Sequence, residues 1–328
     1  MTATPETIPV IDLAPLAGGD PAAASAAARA FGAALETIGF AVVVGHGVPE
    51  PVIAAAYDSA KAFFALPLAD KLAYVIPDQA KIRGYLPVGI ESVALTLDKD
   101  QPADLCEALV FRTLTREAER PPETWAPNLW PEKPPHLRER IDAYCRAVYG
   151  FAHRLYRVTA LALDLPEDYF AAAFADPQFT LRLVNYPDQE TPPLPNQLRY
   201  GAHHDYGGLT ILRQDSAPGG LEISGRDGVW RDVPVIPGSF VINVGDLMSR
   251  WTNGRWRSTL HRVVNPPREL TGSTQRLSMV LFTTPNEATE IACLPTCADA
   301  AHPPRFEPVR AGDYVLAKIA KSMELGAA

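Results

Sequence analysis

Two histidines and one aspartate, His203, Asp205 and His261, are the side chains of this sequence best suited to hold a metal ion. Two imidazoles and a carboxylate can occupy one face of an octahedral iron(II) and leave the opposite face open to other ligands. His203 and Asp205 are two apart, and on extended chain such residues point to the same side, so they converge while His204 between them points away. His261 sits in STLHRVVNP, where Leu260, Val263 and Val264 imply a buried strand. An imidazole buried there needs a polar partner, and a metal is one. Further along, Arg276 and Ser278 are again two apart on a β-type run, so guanidinium and hydroxyl can meet a single carboxylate. Arginine suits that task because its planar fork donates two parallel charge-assisted hydrogen bonds and keeps its charge.

The flanking residues sharpen this reading. They read GAHHDYGGLTIL (Gly201 to Leu212), GRWRSTLHRVVNPP (Gly254 to Pro267) and QRLSMVLFTTPN (Gln275 to Asn286). Here the chain resembles the 2-oxoglutarate-dependent, non-haem iron(II) dioxygenase superfamily, in the branch that includes isopenicillin N synthase and plant-type hydroxylases. IPVIDLAPL (Ile8 to Leu16), GFAVVVGHGVP (Gly39 to Pro49), RGYLPVGIES (Arg83 to Ser92) and LVNYPD (Leu183 to Asp188) extend the likeness over most of the chain.

That resemblance implies Fe(II) on His203, Asp205 and His261, with 2-oxoglutarate as cosubstrate and dioxygen as oxidant. Arg276, Ser278 and Tyr186 would hold the distal carboxylate of the cosubstrate. The filled carboxylate position at Asp205 sets the chain apart from the superfamily's halogenases, which leave that place small. A pocket for a small organic substrate is expected from Tyr85, His204, Tyr206, Phe282 and Thr284. His204 stands where the family usually has a small polar residue, and both a place at the pocket edge and simple packing stay open for it. Arg182 has two possible directions, into the barrel or to solvent. Asp246 reads as a turn residue, with support of a ligand histidine as its alternative. Hydroxylation is the expected outcome; desaturation, epoxidation and ring closure use the same machinery. The competing readings are an iron oxidase of the same fold that does not use 2-oxoglutarate and, more remotely, a binding protein without catalysis.

These residues need a scaffold. Asp20 followed by Pro21 is a helix start, a side-chain cap and then a proline whose missing N–H costs nothing there, and the alanine-rich run ends at Gly39. A second helix begins near Pro51 and ends before Pro67. In a third, Ile141, Tyr144, Val148, Phe151, Leu155 and Val158 recur at three- and four-residue steps, one apolar stripe on a helix of about seven turns. Beyond Phe179 the period changes to short β-rich runs: Leu181 to Tyr186, Leu209 to Gln214, Gly228 to Val233, Phe240 to Val244 and Arg276 to Thr283. Pattern alone gives helices followed by a β-rich body, an α+β chain dominated by β. The resemblance supplies the rest: a double-stranded β-helix (jelly-roll) core, an N-terminal helical region and a C-terminal helix over Ala311 to Met323. Residues 1–112 read as the N-terminal dioxygenase-type region, 113–178 as a connecting loop with bracing helices, and 179–328 as the oxygenase core, all one structural unit.

Composition excludes other classes. With 328 residues, 47% of them apolar and 21% charged, the chain can build a sizeable core. A net charge of −8 without any basic block argues against nucleic-acid partners. The 32 prolines cluster between elements, as in Pro121 to Pro135, and mark loops. Cys106, Cys145, Cys293 and Cys297 form no close paired framework, and the CxxxC spacing of the last two lacks the second pair of a zinc ribbon. No secretory start and no apolar run of membrane length are seen, so a cytoplasmic protein is expected, its oligomeric state open.

Overall fold

The computed structural model describes residues 7–18, 20–76, 83–99, 101–112 and 127–323. The start read for a leader, the boundary at 112/113 and part of the proline-rich stretch lie outside these residues.

Three of the expected helices form where their signals fall. In α1 (Pro21–Thr37), the Asp20 carboxylate accepts the Ala22 N–H at 2.9 Å. Next come α2 (Glu50–Phe64), a short α3 (Leu68–Leu72) and the long α4 (Leu137–Ala162). All six stripe residues of α4 are buried. Small residues let α1 approach it closely: a Cβ on Gly32 would lie 3.0 Å from the Cβ of Ala162.

These helices cover one face of a large sheet. Its strands are β1 (Val10–Asp12), β2 (Phe40–Val44), β3 (Gly84–Leu86) and β4 (Glu107–Arg112) from the first part of the chain. From the second part it takes β5 (Thr180–Tyr186), β7 (Leu209–Gln214), β10 (Phe240–Val244) and β12 (Arg276–Phe282), in the order β1-β2-β10-β7-β12-β5-β4-β3. A smaller sheet packs on its other face, with β6 (Tyr200–His203), β8 (Leu221–Ser224), β9 (Trp230–Asp232) and β11 (His261–Val263) in the order β6-β11-β8-β9. A two-stranded ribbon, β13 (Glu290–Ile291) with β14 (Val309–Arg310), follows, and α5 (Asp246–Trp251) and α6 (Ala311–Ser322) complete the described fold. This is the expected jelly roll, with its helical N-terminal region and closing helix. N-terminal strands share the large sheet with those of the core. The strand expected from Gly228 to Val233 is shorter, because Gly228, at φ 74°, and Val229 turn the hairpin.

Strand alternation divides the core. Leu181, Leu183, Leu277, Met279 and Leu281 face the helices. The intervening residues face the small sheet, and antiparallel register sets them in facing pairs: Tyr186 opposite Arg276, Val184 opposite Ser278, Arg182 opposite Val280. β10 is buried along its whole length because it is covered on both sides.

Phe151 of α4 packs against both His46 and Phe240, with ring centroids at 5.8 and 5.7 Å. Phe151→Ala is expected to cost about 3–5 kcal/mol of stability, the usual loss for a buried aromatic. Urea unfolding measures it, and a loss below about 1 kcal/mol would contradict the bracing role of α4.

Candidate active site

Between the two sheets lies a cavity with two lobes, and the histidine–aspartate group stands where they meet. β6 and β11 pair so that His203 and His261 are direct cross-strand partners, with ring centroids 4.1 Å apart. The strand ends at His203, yet the next two residues stay open enough for Asp205 to turn back toward both rings. Its Oδ1 lies 3.5 Å from Nε2 of His203 and 3.6 Å from Nε2 of His261. One ligand atom from each of the three lies within 4.8 Å of the others, and all three residues are buried.

Hydrogen bonds select which atoms remain free. Nδ1 of His203 is 2.9 Å from the Gly201 carbonyl, and Nδ1 of His261 is 2.9 Å from the Thr259 carbonyl. A carbonyl can only accept, so each Nδ1 carries the proton and each Nε2 keeps a lone pair aimed at Asp205. Asp205 Oδ2 is occupied, accepting the Thr210 hydroxyl and the Asn243 amide, each at 2.6 Å, which leaves Oδ1. Burial disfavours the Asp205 charge, but His261 and His203 outweigh it and hold the carboxyl well below its usual range. Burial and the neighbouring His261 keep His203 neutral-leaning; at His261, Asp205 outweighs burial and raises the pKa. Two nitrogens and one carboxylate oxygen, oriented by their other atoms, make a donor set that fits iron(II).

The supports of this site come from distant sequence. Thr259 donates its hydroxyl to the Ile38 carbonyl at 2.5 Å, fixing the peptide that accepts from His261. Gly39 makes the approach possible: at φ +77 a Cβ would fall 2.2 Å from the Arg257 carbonyl oxygen. Asp104 accepts the Gly201 N–H at 2.8 Å and the Val93 N–H at 3.0 Å, tying β6 to the loop that follows β3.

The inner lobe is lined by Arg276, Ser278 and Tyr186 beside the triad. The two Nη atoms of Arg276 donate to the Gln214 side chain and to the Asp215 and Ala217 carbonyls, at 2.8, 3.0 and 3.1 Å. Its buried Nε has no partner, and neither Ser278 nor Tyr186 makes a side-chain hydrogen bond among the described residues. Burial raises the Tyr186 pKa, so it stays a neutral donor. A buried cation with a spare donor, flanked by two free hydroxyls, fits a small carboxylate.

Tyr206, Phe282 and Thr284 line the outer lobe, with Val315 and Ile319 of α6 above them. Two of the expected pocket residues do not. Tyr85 faces the helices, since it pairs with Leu109 on the opposite face of β4 from Ala108 and Val110; it is buried against Phe63 and donates to Glu107 at 2.5 Å. His204 points away, as strand alternation requires, and its Nδ1 lies 3.3 Å from Ser258 Oγ, which donates to Asp246. Asp246 opens α5 and also accepts from Tyr314 of α6 at 3.0 Å, touching neither ligand histidine. Arg182 points inward, in a two-fold hydrogen-bonded pair with Glu91, and both line the outer lobe. Sequence reasoning missed Glu91, Thr210 and Asn243; Glu91 lies in the RGYLPVGIES loop that had already been singled out.

An open cavity between the sheets of a jelly roll, with a buried two-histidine, one-carboxylate group at its centre, defines a mononuclear non-haem metal enzyme. The comparisons specify which. Residues 8–133 match the family described as the non-haem dioxygenase in morphine synthesis N-terminal region, and residues 178–285 match the 2OG-Fe(II) oxygenase superfamily. A 2-oxoglutarate-Fe(II) type oxidoreductase, hxnY of Emericella nidulans, is 32% identical over 95% of this chain and 89% of its own. A homoarginine-6-hydroxylase of Glycine max is 31% identical over 88% of this chain and 89% of its own. Among solved structures, Neurospora crassa T7H in complex with alpha-KG and thymine superposes with a TM-score of 0.85 at 26% identity, over 95% of this chain and 96% of that one. A 2OG-Fe(II) oxygenase family protein of Caulobacter crescentus gives 0.83 at 32% identity, over 96% and 99%. The chain belongs to the 2OG-Fe(II) oxygenase superfamily. It is a 2-oxoglutarate-dependent non-haem iron dioxygenase that uses Fe(II), 2-oxoglutarate and dioxygen.

Asn243→Ala frees a lone pair on Asp205 and loosens the carboxylate, so Fe(II) affinity is expected to fall about 10-fold, as partners of metal ligands typically cost. Anaerobic Fe(II) titration checks this; unchanged affinity would contradict it. A second outcome concerns pH. Burial pushes the Asp104 carboxyl up to about 8. The folded protein therefore keeps a proton that the unfolded chain releases above about 4. Stability is expected to decline as pH rises from about 4 towards 8 and then level off, with a contribution approaching 1.4 kcal/mol per pH unit from this group. Urea unfolding of Asp104→Asn across that range should lack this component.

Proposed function

We propose that the protein hydroxylates a small organic metabolite, with His203, Asp205 and His261 holding Fe(II) and Arg276, Ser278 and Tyr186 holding the distal carboxylate of 2-oxoglutarate. One observation carries the reading: the only ligand atoms left free on three buried side chains converge, and they do so beside a buried guanidinium with a donor to spare. Relatives named as homoarginine hydroxylases and a neighbour solved with thymine support a substrate of metabolite size.

Bound iron and cosubstrate supply the oxidising chemistry, in which dioxygen puts one atom into succinate, with loss of carbon dioxide, and one into the substrate C–H bond. The chain's own work is placement and exclusion of water. Arg276 fixes the depth to which a dicarboxylate enters the inner lobe, because its guanidinium is itself held by Gln214 and Asp215. Tyr186, neutral through its burial, and Ser278 donate without adding charge. Phe282 reaches both lobes and separates the cosubstrate from the substrate. α6 closes the outer lobe, held by Tyr314 and Lys318 on Asp246. The N-terminal region, bracing helices and jelly roll act as one unit. A reducing cytoplasm suits four free cysteines, and no described helix is long and apolar enough to cross a membrane.

Full-length protein loaded with Fe(II) and 2-oxoglutarate is expected to release succinate, one per hydroxylated product once a substrate is found. His261→Ala should bind no stoichiometric iron and release none. Arg276→Gln should keep its iron while the KM for 2-oxoglutarate rises about 10- to 100-fold, the loss of a charged hydrogen bond worth about 1.5–3 kcal/mol. Oxygen uptake without succinate, or an unchanged KM in Arg276→Gln, would overturn the assignment.

A further inference from the structure

The outer lobe holds a second charged pair that neither the metal nor the cosubstrate uses. Arg182, on β5, and Glu91, in the loop after β3, meet two-fold: Nη1 to Oε1 at 3.0 Å, and Nη2 to Oε2. Both side chains are only 7% exposed. Burial opposes the Glu91 charge, but the guanidinium outweighs it and holds the carboxyl below its usual range. The Tyr200 hydroxyl donates to Glu91 Oε1 at 3.3 Å, Arg182 stands 5.5 Å over the Tyr200 ring, and that ring packs edge-on against His203 at 4.9 Å. The pair is thus joined to the metal site through one aromatic side chain.

An internal ion pair is a poor source of stability, because desolvation of two charges consumes most of their attraction. Its place on the wall of the cavity beside the triad points to recognition instead. Each Nη of Arg182 gives Glu91 one of its two N–H groups, and each Glu91 oxygen accepts from Arg182 through only part of its lone-pair capacity. The wall therefore offers a donor next to an acceptor, with no net charge. A carboxylate ligand would face Glu91, and an ammonium would face Arg182, so either would have to break the pair. Apolar Val93 and the aromatic Phe282 and Tyr206 line the rest of the lobe.

We propose that Glu91 and Arg182 together form the polar recognition site for the substrate, and that they select a neutral molecule presenting an N–H beside a C=O, as the edge of a cyclic amide or lactam does. The amide C=O accepts from Arg182 and its N–H donates to Glu91, while Phe282 and Tyr206 cover the ring. This inference rests on the hydroxylase reading above and adds the substrate class.

The test uses full-length protein loaded anaerobically with Fe(II) and 2-oxoglutarate, and three flat probes of similar size: 2-pyridone, benzoate and benzylamine. Loading is followed by visible absorption, and dissociation constants come from calorimetry on the loaded complex. The wild type is expected to bind 2-pyridone at least about 10-fold tighter than either charged probe. Glu91→Gln leaves Arg182 uncompensated, so the ratio of 2-pyridone to benzoate affinity should shift towards benzoate by at least about 10-fold, about 1.4 kcal/mol. Should Glu91→Gln fail to fold, the double variant Glu91→Leu, Arg182→Met, which buries no lone charge, should lose the preference for 2-pyridone. A wild type that binds a charged probe as tightly, no binding of 2-pyridone, or an unchanged ratio in the variant would overturn the proposal. A merely structural role for the pair would leave the wild type without its preference for 2-pyridone over the charged probes. Failure of the wild type to load iron and 2-oxoglutarate would strike the hydroxylase reading itself, which separates the two.

Discussion

The structure depends on one buried carboxylate oxygen. Asp205 is enclosed by two imidazoles, and both of its possible internal donors, Thr210 and Asn243, have been directed to Oδ2. Oδ1 is left facing two ring nitrogens, and the negative potential gathered there is what raises the pKa of His261. Burial of such a group is costly unless a cation completes it. The Nδ1 protons cannot be reassigned without leaving the Gly201 and Thr259 carbonyls facing bare lone pairs. A single divalent ion would satisfy all three ligand atoms at once, and the jelly roll holds those atoms within reach of one another.

Register carries this local demand through the fold. Direct pairing of His203 with His261 across β6 and β11 sets the small sheet, and pairing of Tyr186 with Arg276 across β5 and β12 sets the large one. A slip of one residue in either would turn the functional face into the core face. Both registers are pinned from outside the jelly roll. Thr259 is tied to the end of α1 through Ile38, and Asn185, on the reverse of β5, donates to Glu107 of β4 at 2.8 Å while Lys71 pairs with the same carboxylate at 2.7 Å. The N-terminal third is therefore part of what holds the site, which explains why its strands belong to the same sheet.

Much of this was legible because the chemistry is local in sequence. Residues two apart on a strand share a face, so His203 with Asp205 and Arg276 with Ser278 could be read as pairs, and the stripe on α4 identified its buried side. The failures are equally physical. Tyr85 was assigned to the pocket from its loop, but the face that a residue on β3 presents depends on its pairing with β4, a strand with no strong sequence signal. For His204 both the pocket edge and simple packing stayed open in the sequence, because its contact with Ser258 depends on tertiary packing. Thr210 and Asn243 look like ordinary strand residues until β7 and β10 are paired, whereupon both face Asp205. Glu91 and Arg182 lie far apart in the chain, and nothing local in either announces the other.

The most direct test is a crystal structure of the anaerobic complex with Fe(II) and 2-oxoglutarate, with anomalous scattering measured at the iron edge. A single iron peak bonded to Nε2 of His203, Nε2 of His261 and Oδ1 of Asp205 is predicted, with the cosubstrate's far carboxylate on Arg276. A peak elsewhere, or iron bound through Asp205 Oδ2 or through a histidine Nδ1, would contradict the account.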